Sequence, residues 1–178
     1  MTAAQTGAHQ DAPQDTLLRR VVFDTNAILS LWAFTDSRFA PLRAEVDAGR
    51  WIALTRPDCL DEFLRVLTYP QFKFDQVRQE AAYAAYEAQA RCWQGEPLAA
   101  ELPRCKDRDD QKFLELARDA GAHWLVTSDK LLLRCARRQK LAGMFQILKP
   151  DVLLADLISG APPFALSVPQ GLPVVVGV

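Results

Sequence analysis

The chain has 178 residues, 49% of them hydrophobic and 24% charged, with a formal net charge of −1. This length and composition are typical of one globular domain with a sizeable core, and they exclude a disordered or fibrous protein. Because the chain has no overall positive charge, nucleic acid would have to be held by local basic groups rather than by a global field.

Short apolar segments alternate with helical patterns along the chain. In chain order, the sequence predicts strands at 19–24, 51–55, 123–127 and 145–148, and helices at 24–34, 37–48, 57–67, 75–93, 106–121, 129–138 and 150–158. This alternation predicts a parallel sheet with helices on both faces. Ligands bind such sheets at the carboxyl ends of the strands, so the residues that follow each strand are the first candidates for a site.

Composition also indicates the domain boundaries. Residues 1–17 are predicted to be a flexible tail, residues 18–158 one domain, and the Pro- and Gly-rich residues 159–178 an extension. The N-terminal tail lacks the apolar core of a secretion signal, and the four scattered cysteines form no CxxC pair. We therefore expect a cytoplasmic protein with reduced thiols and without a membrane span.

Two predicted strands are followed by aspartate. Asp24 comes directly after VVF, and Asp129 comes just after WLVTS. Both side chains are therefore expected at the same edge of a parallel sheet. Aspartate is also a favoured N-cap, and each of these residues precedes a helical pattern. A capping role and a role in chemistry are compatible, and the sequence leaves both open.

Two further acids lie in helical segments. Asp110 shares a helix face with Phe113 and Leu114, which predicts burial. A carboxylate at such a position needs a metal ion, an arginine or backbone N–H groups to offset its desolvation. The alternative is an ordinary acid in the first helical turn, with Asp107 as the N-cap. Glu62 lies away from the apolar stripe of its helix, and that pattern alone favours a solvated surface residue.

Four segments occur in an order that resembles the PIN-domain family. They are VVFDTNAILS, PDCLDEFLRVL, KDRDDQKFLELARDAGAHWLVTSDKLLL and FQILKPDVLL. The resemblance covers about residues 19–157. Within the family, these segments look most like the toxin components of toxin–antitoxin pairs, the VapC-like ribonucleases. It implies a three-layer α/β/α fold with a central parallel sheet of four to five strands.

The resemblance also implies an acidic, metal-binding cluster. Related chains commonly carry a further acid two residues after the last aspartate, and Leu131 stands there in this chain. Carried over to this sequence, the catalytic residues would be Asp24, Glu62, Asp110 and Asp129, the metal ligands Asp24, Asp110 and Asp129, and the supporting residues Asn26, Asp107 and Thr127.

The available side chains favour metal-dependent chemistry. The only histidines are His9 in the tail and His123 before a strand, so a Ser/His or histidine-pair mechanism is poorly supported. Carboxylate oxygens suit Mg²⁺ or Mn²⁺, and one or two such ions would activate water for in-line attack on a phosphodiester. The resemblance implies RNA as the substrate, with 5′-phosphate and 3′-hydroxyl products. The predicted function is a Mg/Mn-dependent ribonuclease that is the toxin of a toxin–antitoxin pair.

Partners are predicted from local features. The predicted helix at 75–93 carries Tyr83, Tyr86 and Trp93, which fit either the core or an interface. We predict a homodimer that forms through the helical region. A cognate antitoxin is the protein partner that the resemblance implies. Four basic residues after Asp129 are candidates for phosphate contacts, with a solvated helix face as the alternative; they are Arg134, Arg137, Arg138 and Lys140.

Two alternative functions fit parts of the pattern. A haloacid-dehalogenase-like phosphatase also has an aspartate after a strand, but it needs a second aspartate two positions later, where this chain has Asn26. A catalytically silent PIN-fold module would bind RNA or protein without turnover. The intact set of acids argues against the silent module, and a cleavage assay would separate the two.

Overall fold

The sheet consists of five parallel strands. The computed structural model describes residues 18–138, 141 and 143–160. Its strands are β1 (Arg19–Phe23), β2 (Trp51–Thr55), β3 (Arg91–Cys92), β4 (Trp124–Val126) and β5 (Gln146–Leu148). They lie in the order β3-β2-β1-β4-β5, and every neighbouring pair is parallel. The strand order reverses beside β1, so a crevice is expected at the carboxyl ends of β1 and β4.

Helices connect successive strands. They are α1 (Thr25–Ile28), which continues as a π-helix (Leu29–Ala33), α2 (Ala40–Asp47), α3 (Pro57–Leu67), α4 (Gln76–Glu87), α5 (Gln111–Asp119), α6 (Lys130–Cys135) and α7 (Pro150–Ser159), with 3₁₀ turns at Ser37–Phe39 and Pro70–Phe72. Proline opens α3 and α7, where its missing N–H costs no helical hydrogen bond. Gly49 follows α2 with φ +69°, a conformation that glycine adopts without steric cost.

The helices cover both faces of the sheet, which confirms the three-layer α/β/α prediction. Successive residues of β1 point to opposite faces. Val21 and Phe23 pack in a core with buried residues of α1–α4 and α7, whereas Val22 packs in a second core with α5 and α6. All three side chains are at most 1% exposed. Burial of each contributes roughly 1.5–3 kcal/mol, so both cores depend on β1.

Two predicted helices differ from the structure. The helix predicted at 75–93 ends at Glu87, and residues 91–92 form the edge strand β3 instead. Both residues of β3 are exposed, so no alternation of burial marks this strand in the sequence. The helix predicted at 106–121 begins only at Gln111, because residues 106–110 form bends and turns.

The predicted tails lie largely beyond the described residues. Residues 1–17 and 161–178 fall outside them, and Ser159 and Gly160 end α7. Over the part of the chain that the structure describes, no helix combines the length and the apolar character needed to cross a bilayer.

Candidate active site

Asp24 lies at the carboxyl end of the central strand, where the sheet order reverses. Its side chain is 2% exposed. One carboxylate oxygen, Oδ1, caps α1 by accepting a hydrogen bond from the backbone N–H of Ala27 at 2.7 Å. The other oxygen, Oδ2, accepts a hydrogen bond from the hydroxyl of Thr127. The sequence left capping and chemistry open for Asp24, and its position is consistent with both.

Thr127 connects Asp24 to Asp129, which follows the neighbouring strand β4. Its hydroxyl donates to Asp24 and accepts a hydrogen bond from the backbone N–H of Asp129 at 2.9 Å. Asp129 in turn caps α6, because its Oδ1 accepts hydrogen bonds from Leu131 N and Leu132 N at 2.6 and 3.1 Å. The buried threonine thus holds the two aspartates in fixed positions relative to each other.

Asp110 completes the group from the start of α5. It is half-buried, and no capping bond to its side chain is formed at this helix start. Burial and then the charges of Asp107, Asp129 and Glu62 raise its pKa to about 6, and the charge of Lys112 opposes the increase. Asp110 is therefore partly buried, and its carboxylate is repelled by three neighbouring acids.

The pKa of Asp24 is also raised, and neighbouring acids contribute to this increase. Burial raises it to about 7, the charges of Asp110 and Asp129 add to the increase, and the hydrogen bonds from Thr127 and Ala27 oppose it. Two carboxyls that repel each other in a buried crevice favour either a proton or a cation. The structure therefore brings Asp24, Asp110 and Asp129 into one electrostatic cluster.

Glu62 also belongs to this cluster. Its side chain is only 13% exposed, so the surface position that the helix pattern favoured is wrong. Its Oε1 accepts a hydrogen bond from the hydroxyl of Thr25 at 2.5 Å, and its Oε2 forms an ion pair with Lys112. Both carboxylate oxygens therefore have protein donors, and Glu62 is positioned by α1 and α5 rather than by solvent.

Sequence reasoning missed two residues of the site, Thr25 and Lys112. Thr25 lies between Asp24 and Asn26 in the DTN motif, and its 5% exposure distinguishes it from the exposed Asn26. Lys112 follows Asp110 by two residues, and a lysine on a helix is ordinarily solvated. The signal that could have identified both is the need of a buried glutamate for donors.

The remaining predicted supporting residues lie at the rim. Asn26 is exposed, and its backbone carbonyl accepts a hydrogen bond from Ser30. Asp107 is exposed as well, and its Oδ1 accepts a hydrogen bond from Asp109 N at 2.9 Å. Asp107 thus stabilises the turn before α5, and its negative charge raises the pKa of Asp110. The side-chain amide of Asn26 forms no hydrogen bond with the described residues of the cluster.

The donor set fits a hard divalent cation. Asp24, Asp110 and Asp129 offer oxygen atoms only, and their mutual repulsion is the type of charge imbalance that such a cation relieves. Within the described ranges, no three or more Asp, Glu, His or Cys side chains form a group that could hold a metal ion as they stand. Water would have to supply part of the coordination shell, as is usual for Mg²⁺.

Histidine and cysteine do not provide an alternative nucleophile or base at this edge. His123 precedes β4, at the opposite end of the strand, and its Nδ1 accepts a hydrogen bond from Arg20 N at 3.1 Å. Burial, followed by the charges of Arg20 and Arg19, lowers its pKa to about 4, so the ring is neutral. Burial raises the pKa of the Cys59 and Cys105 thiols to about 12 and about 11, which keeps them protonated.

Of the predicted basic residues, Arg134 lies in the last turn of α6, and Arg137 and Arg138 follow that helix. Arg134, Arg137 and Arg138 are exposed, and Lys140 lies outside the described residues. Arg137 and Arg138 line a pocket of about 490 Å³ together with Phe145, Ile147 and other residues near β5 and α7. None of the four acids lines this pocket. A role of these basic residues in RNA binding stays a prediction.

The aromatic residues of the predicted interface have mixed positions. Tyr86 is fully buried and packs against Trp32 and Phe63, with ring centroids 4.9 and 5.7 Å apart, so it belongs to the core. Tyr83 and Trp93 are partly buried and pack against the two cores. A homodimer interface therefore cannot rest on Tyr86.

Comparison with known proteins identifies a family but no individual relative. A family model described as "PIN domain" matches residues 20–131, which include the four acids. No curated protein and no solved structure matches the chain significantly. PIN domains are generally nucleases, and PIN nucleases typically use divalent metal ions.

Proposed function

Because the chain belongs to the PIN-domain family, we propose that it is a metal-dependent endoribonuclease that hydrolyses RNA phosphodiester bonds. The observation that carries this proposal is the cluster of Asp24, Asp110 and Asp129 at the point where the strand order reverses. Burial is the largest cause of the raised pKa of Asp24 and of Asp110, and the charge of Asp129 contributes to the increase in both. Such a cluster is unfavourable on its own and becomes favourable with a divalent cation.

The protein groups have distinct roles in this proposal. Asp24, Asp110 and Asp129 would hold Mg²⁺ or Mn²⁺, which would supply Lewis-acid stabilisation of the phosphate charge and a more acidic water. Thr127 keeps the first and last of these acids in register through its hydroxyl. Glu62, held by Thr25 and Lys112, presents a carboxylate at the edge of the cluster, where it can orient a water molecule.

The direct test is cleavage of labelled single-stranded and structured RNA, and of DNA of the same sequence, with Mg²⁺, with Mn²⁺ and with EDTA. The wild-type protein should cleave RNA only with metal. Asp24→Asn should lose cleavage by a factor of at least about 100, the cost of removing a group that stabilises charge in a transition state. Asp156→Asn, an exposed acid on α7, is the matched control and should cleave normally.

Two results would contradict the proposal. Cleavage that survives EDTA or the Asp24→Asn substitution would remove the metal mechanism. RNA binding without cleavage under any metal condition would instead favour the catalytically silent module.

The finer function that we propose is the toxin of a toxin–antitoxin pair, a VapC-like ribonuclease that forms a homodimer and is inhibited by a cognate antitoxin. The motifs that resemble this branch support it, and the exposed surface of the helical layer is available to partners. Expression in a bacterial host should arrest growth, and Asp24→Asn should not. Normal growth with active enzyme, or a monomer by light scattering, would remove the corresponding part of the proposal.

A further inference from the structure

A group of aromatic side chains forms a partly exposed surface at the end of the π-helix that follows α1 and beyond the end of α3. We call this surface the aromatic platform, and it consists of Phe34, Tyr69, Phe72 and Phe74. Phe34 packs edge-on against Phe72, with ring centroids 5.4 Å apart, and lies 5.1 Å from Phe74. Phe72 stacks on Tyr69 and on Phe74 at 6.4 and 5.7 Å. The platform is thus one continuous set of ring contacts.

Most side chains of the platform are not fully buried in the core. Phe34 is 43% exposed, and Tyr69 and Phe72 are only partly buried, whereas Phe74 is 9% exposed and anchors the set. Arg78 braces this anchor, since its guanidinium lies 4.3 Å from the Phe74 ring centroid and donates to the carbonyl of Ala33 at 3.1 Å. The structure therefore holds partly exposed aromatic rings at the surface on a fixed base.

Backbone strain occurs beside the platform. Thr35 and Lys73 have φ values of +49° and +53°, and they are the non-glycine residues with positive φ among those described. Each directly follows a platform residue, Phe34 and Phe72. Positive φ is a genuine outlier for a β-branched residue such as Thr35. Strain of this kind persists where surrounding structure enforces it and is frequent at ligand sites.

Positive charge accompanies the rings. Arg65 and Lys73 are exposed, and neither forms an ion pair with a carboxylate in the described ranges. Arg65 donates from Nη1 to the hydroxyl of Tyr69 at 2.8 Å, which places its guanidinium at the platform's edge. Aromatic faces with cations beside them match the bases and phosphates of a single-stranded nucleic acid.

Helix α3 and the π-helix after α1 connect the acids to the platform. Glu62 and Arg65 lie three residues apart on one face of α3, and Tyr69 follows one further turn on, just past the end of that helix. Seven residues at the helical rise span about 10 Å. The π-helix after α1 leads from Asp24 to Phe34 on the adjacent side. A strand held at the acids can therefore extend to the platform.

We propose that the aromatic platform binds unpaired bases of an RNA strand whose phosphodiester bond lies at the acidic cluster, with Arg65 and Lys73 contacting its phosphates. This inference rests on the proposed ribonuclease function, because it assigns part of the substrate to a second surface. It predicts a preference for single-stranded RNA. Charge and continuity with the acids favour RNA over a protein partner, which would have to be acidic to match the cations.

The test measures binding without cleavage, so it does not depend on turnover. Fluorescence anisotropy of a short labelled oligoadenylate is recorded in EDTA with the full-length protein. Phe34→Leu keeps an apolar side chain but removes the stacking face, and it should weaken binding about 10-fold, within the range measured for loss of one base stack. Ile158→Ala, at a 75% exposed position on α7, is the matched control and should bind normally.

A second variant reports on the phosphates. Lys73→Asn is compatible with positive φ and should reduce the slope of log affinity against log salt by about 0.7 for a single strand. Phe34→Leu should leave that slope unchanged, since it removes no charge. Arg50→Gln, an exposed arginine paired with Glu45, controls for net charge and should change neither affinity nor slope. A structural effect alone would not separate affinity from salt dependence in this way.

The outcomes separate the two proposals. Wild-type affinity and salt slope in both platform variants would overturn the platform, whether or not the protein cleaves RNA. A change of oligomeric mass in these variants without a change of RNA affinity would also overturn it and would assign the surface to protein contact. Loss of oligoadenylate binding in Phe34→Leu, together with no cleavage by the wild-type protein, would support the platform while the ribonuclease proposal fails.

Discussion

The hydroxyl of Thr127 serves two aspartates at once, donating to Asp24 and accepting from the backbone N–H of Asp129. Thr127 is fully buried, so loss of the hydroxyl leaves two polar groups without this partner. Thr127→Val should lower the free energy of unfolding by roughly 1–3 kcal/mol, the cost of unsatisfied buried groups. It should also weaken cleavage, because the acids lose their common positioning group.

Thr127→Ser is the matched control, since it keeps the hydroxyl and loses only a methyl group. Urea unfolding and RNA cleavage measure the two effects separately. Loss of cleavage in the Ser variant with normal cleavage in the Val variant would show that packing of the methyl group, rather than the hydrogen bonds, is what matters at this position.

Lys112 supplies a positive charge inside an otherwise negative cluster. Its ammonium pairs with Glu62, and its charge lowers the pKa of Asp110 against the dominant effect of burial. Lys112→Met should destabilise the metal-free protein by roughly 1–3 kcal/mol, because a mostly buried carboxylate loses its charged partner. Lys130→Met, an exposed lysine at the start of α6, should have little effect.

A double substitution tests whether this effect is electrostatic. Glu62→Gln combined with Lys112→Met removes both charges and should restore most of the stability that Lys112→Met loses. Thermal unfolding in EDTA provides the readout. Additive destabilisation in the double variant would mean that Lys112 acts through packing of its aliphatic chain and not as a counter-ion.

At the scale of elements, α6 shows how one aspartate serves both folding and chemistry. Asp129 caps this six-residue helix through Leu131 N and Leu132 N. Asp129→Asn retains a capping oxygen and should leave stability nearly unchanged, whereas Asp129→Ala should cost about 0.5–2 kcal/mol. Both variants should lose metal-dependent cleavage, since both remove the negative charge. Normal cleavage by Asp129→Asn would confine this residue to capping.

The predictability of the elements follows from how they are stabilised. β1 and the starts of α3 and α7 could be predicted because their signals are local, namely a buried β-branched run and proline at the first helical position. Strand β3 could not, since its two exposed residues pair with β2 through backbone groups alone. Its position depends on tertiary contact, which no side-chain pattern encodes.

The residues of the candidate site also differ in whether a local sequence signal predicted them. Asp24 and Asp129 follow predicted strands, so sheet geometry alone placed them at one edge. The inclusion of Glu62 depended on family resemblance, because its helix pattern favoured solvent. Its ion pair with Lys112 joins residues 50 positions apart in the chain, and a contact between two helices of this kind has no periodic signature in either one.

At the scale of the whole molecule, buried titratable groups give stability a definite pH dependence. The pKa of Asp24 is raised to about 7 and that of Asp110 to about 6, both from 3.8, with burial as the largest cause. The folded state therefore binds more protons than the unfolded state between these values, and stability falls as pH rises through that window. His123 acts oppositely below its ordinary pKa of 6.5, because its folded pKa is about 4.

Above about pH 6.5, Asp24 is the group that still titrates with a raised pKa, so metal-free protein should lose about 1 kcal/mol of stability between about pH 6 and about pH 8. Asp24→Asn should abolish most of this loss, since it removes the titrating carboxyl, and its single amide oxygen keeps one of the two acceptor positions. Mg²⁺ should stabilise the wild-type protein more at the upper end of the range than at the lower end, because binding requires ionised carboxylates. Chemical unfolding in EDTA and in Mg²⁺ across this range measures both effects. A metal-free stability that stays level or rises would show that the carboxyl of Asp24 ionises without penalty, and the electrostatic reason for a cation at this edge of the sheet would disappear.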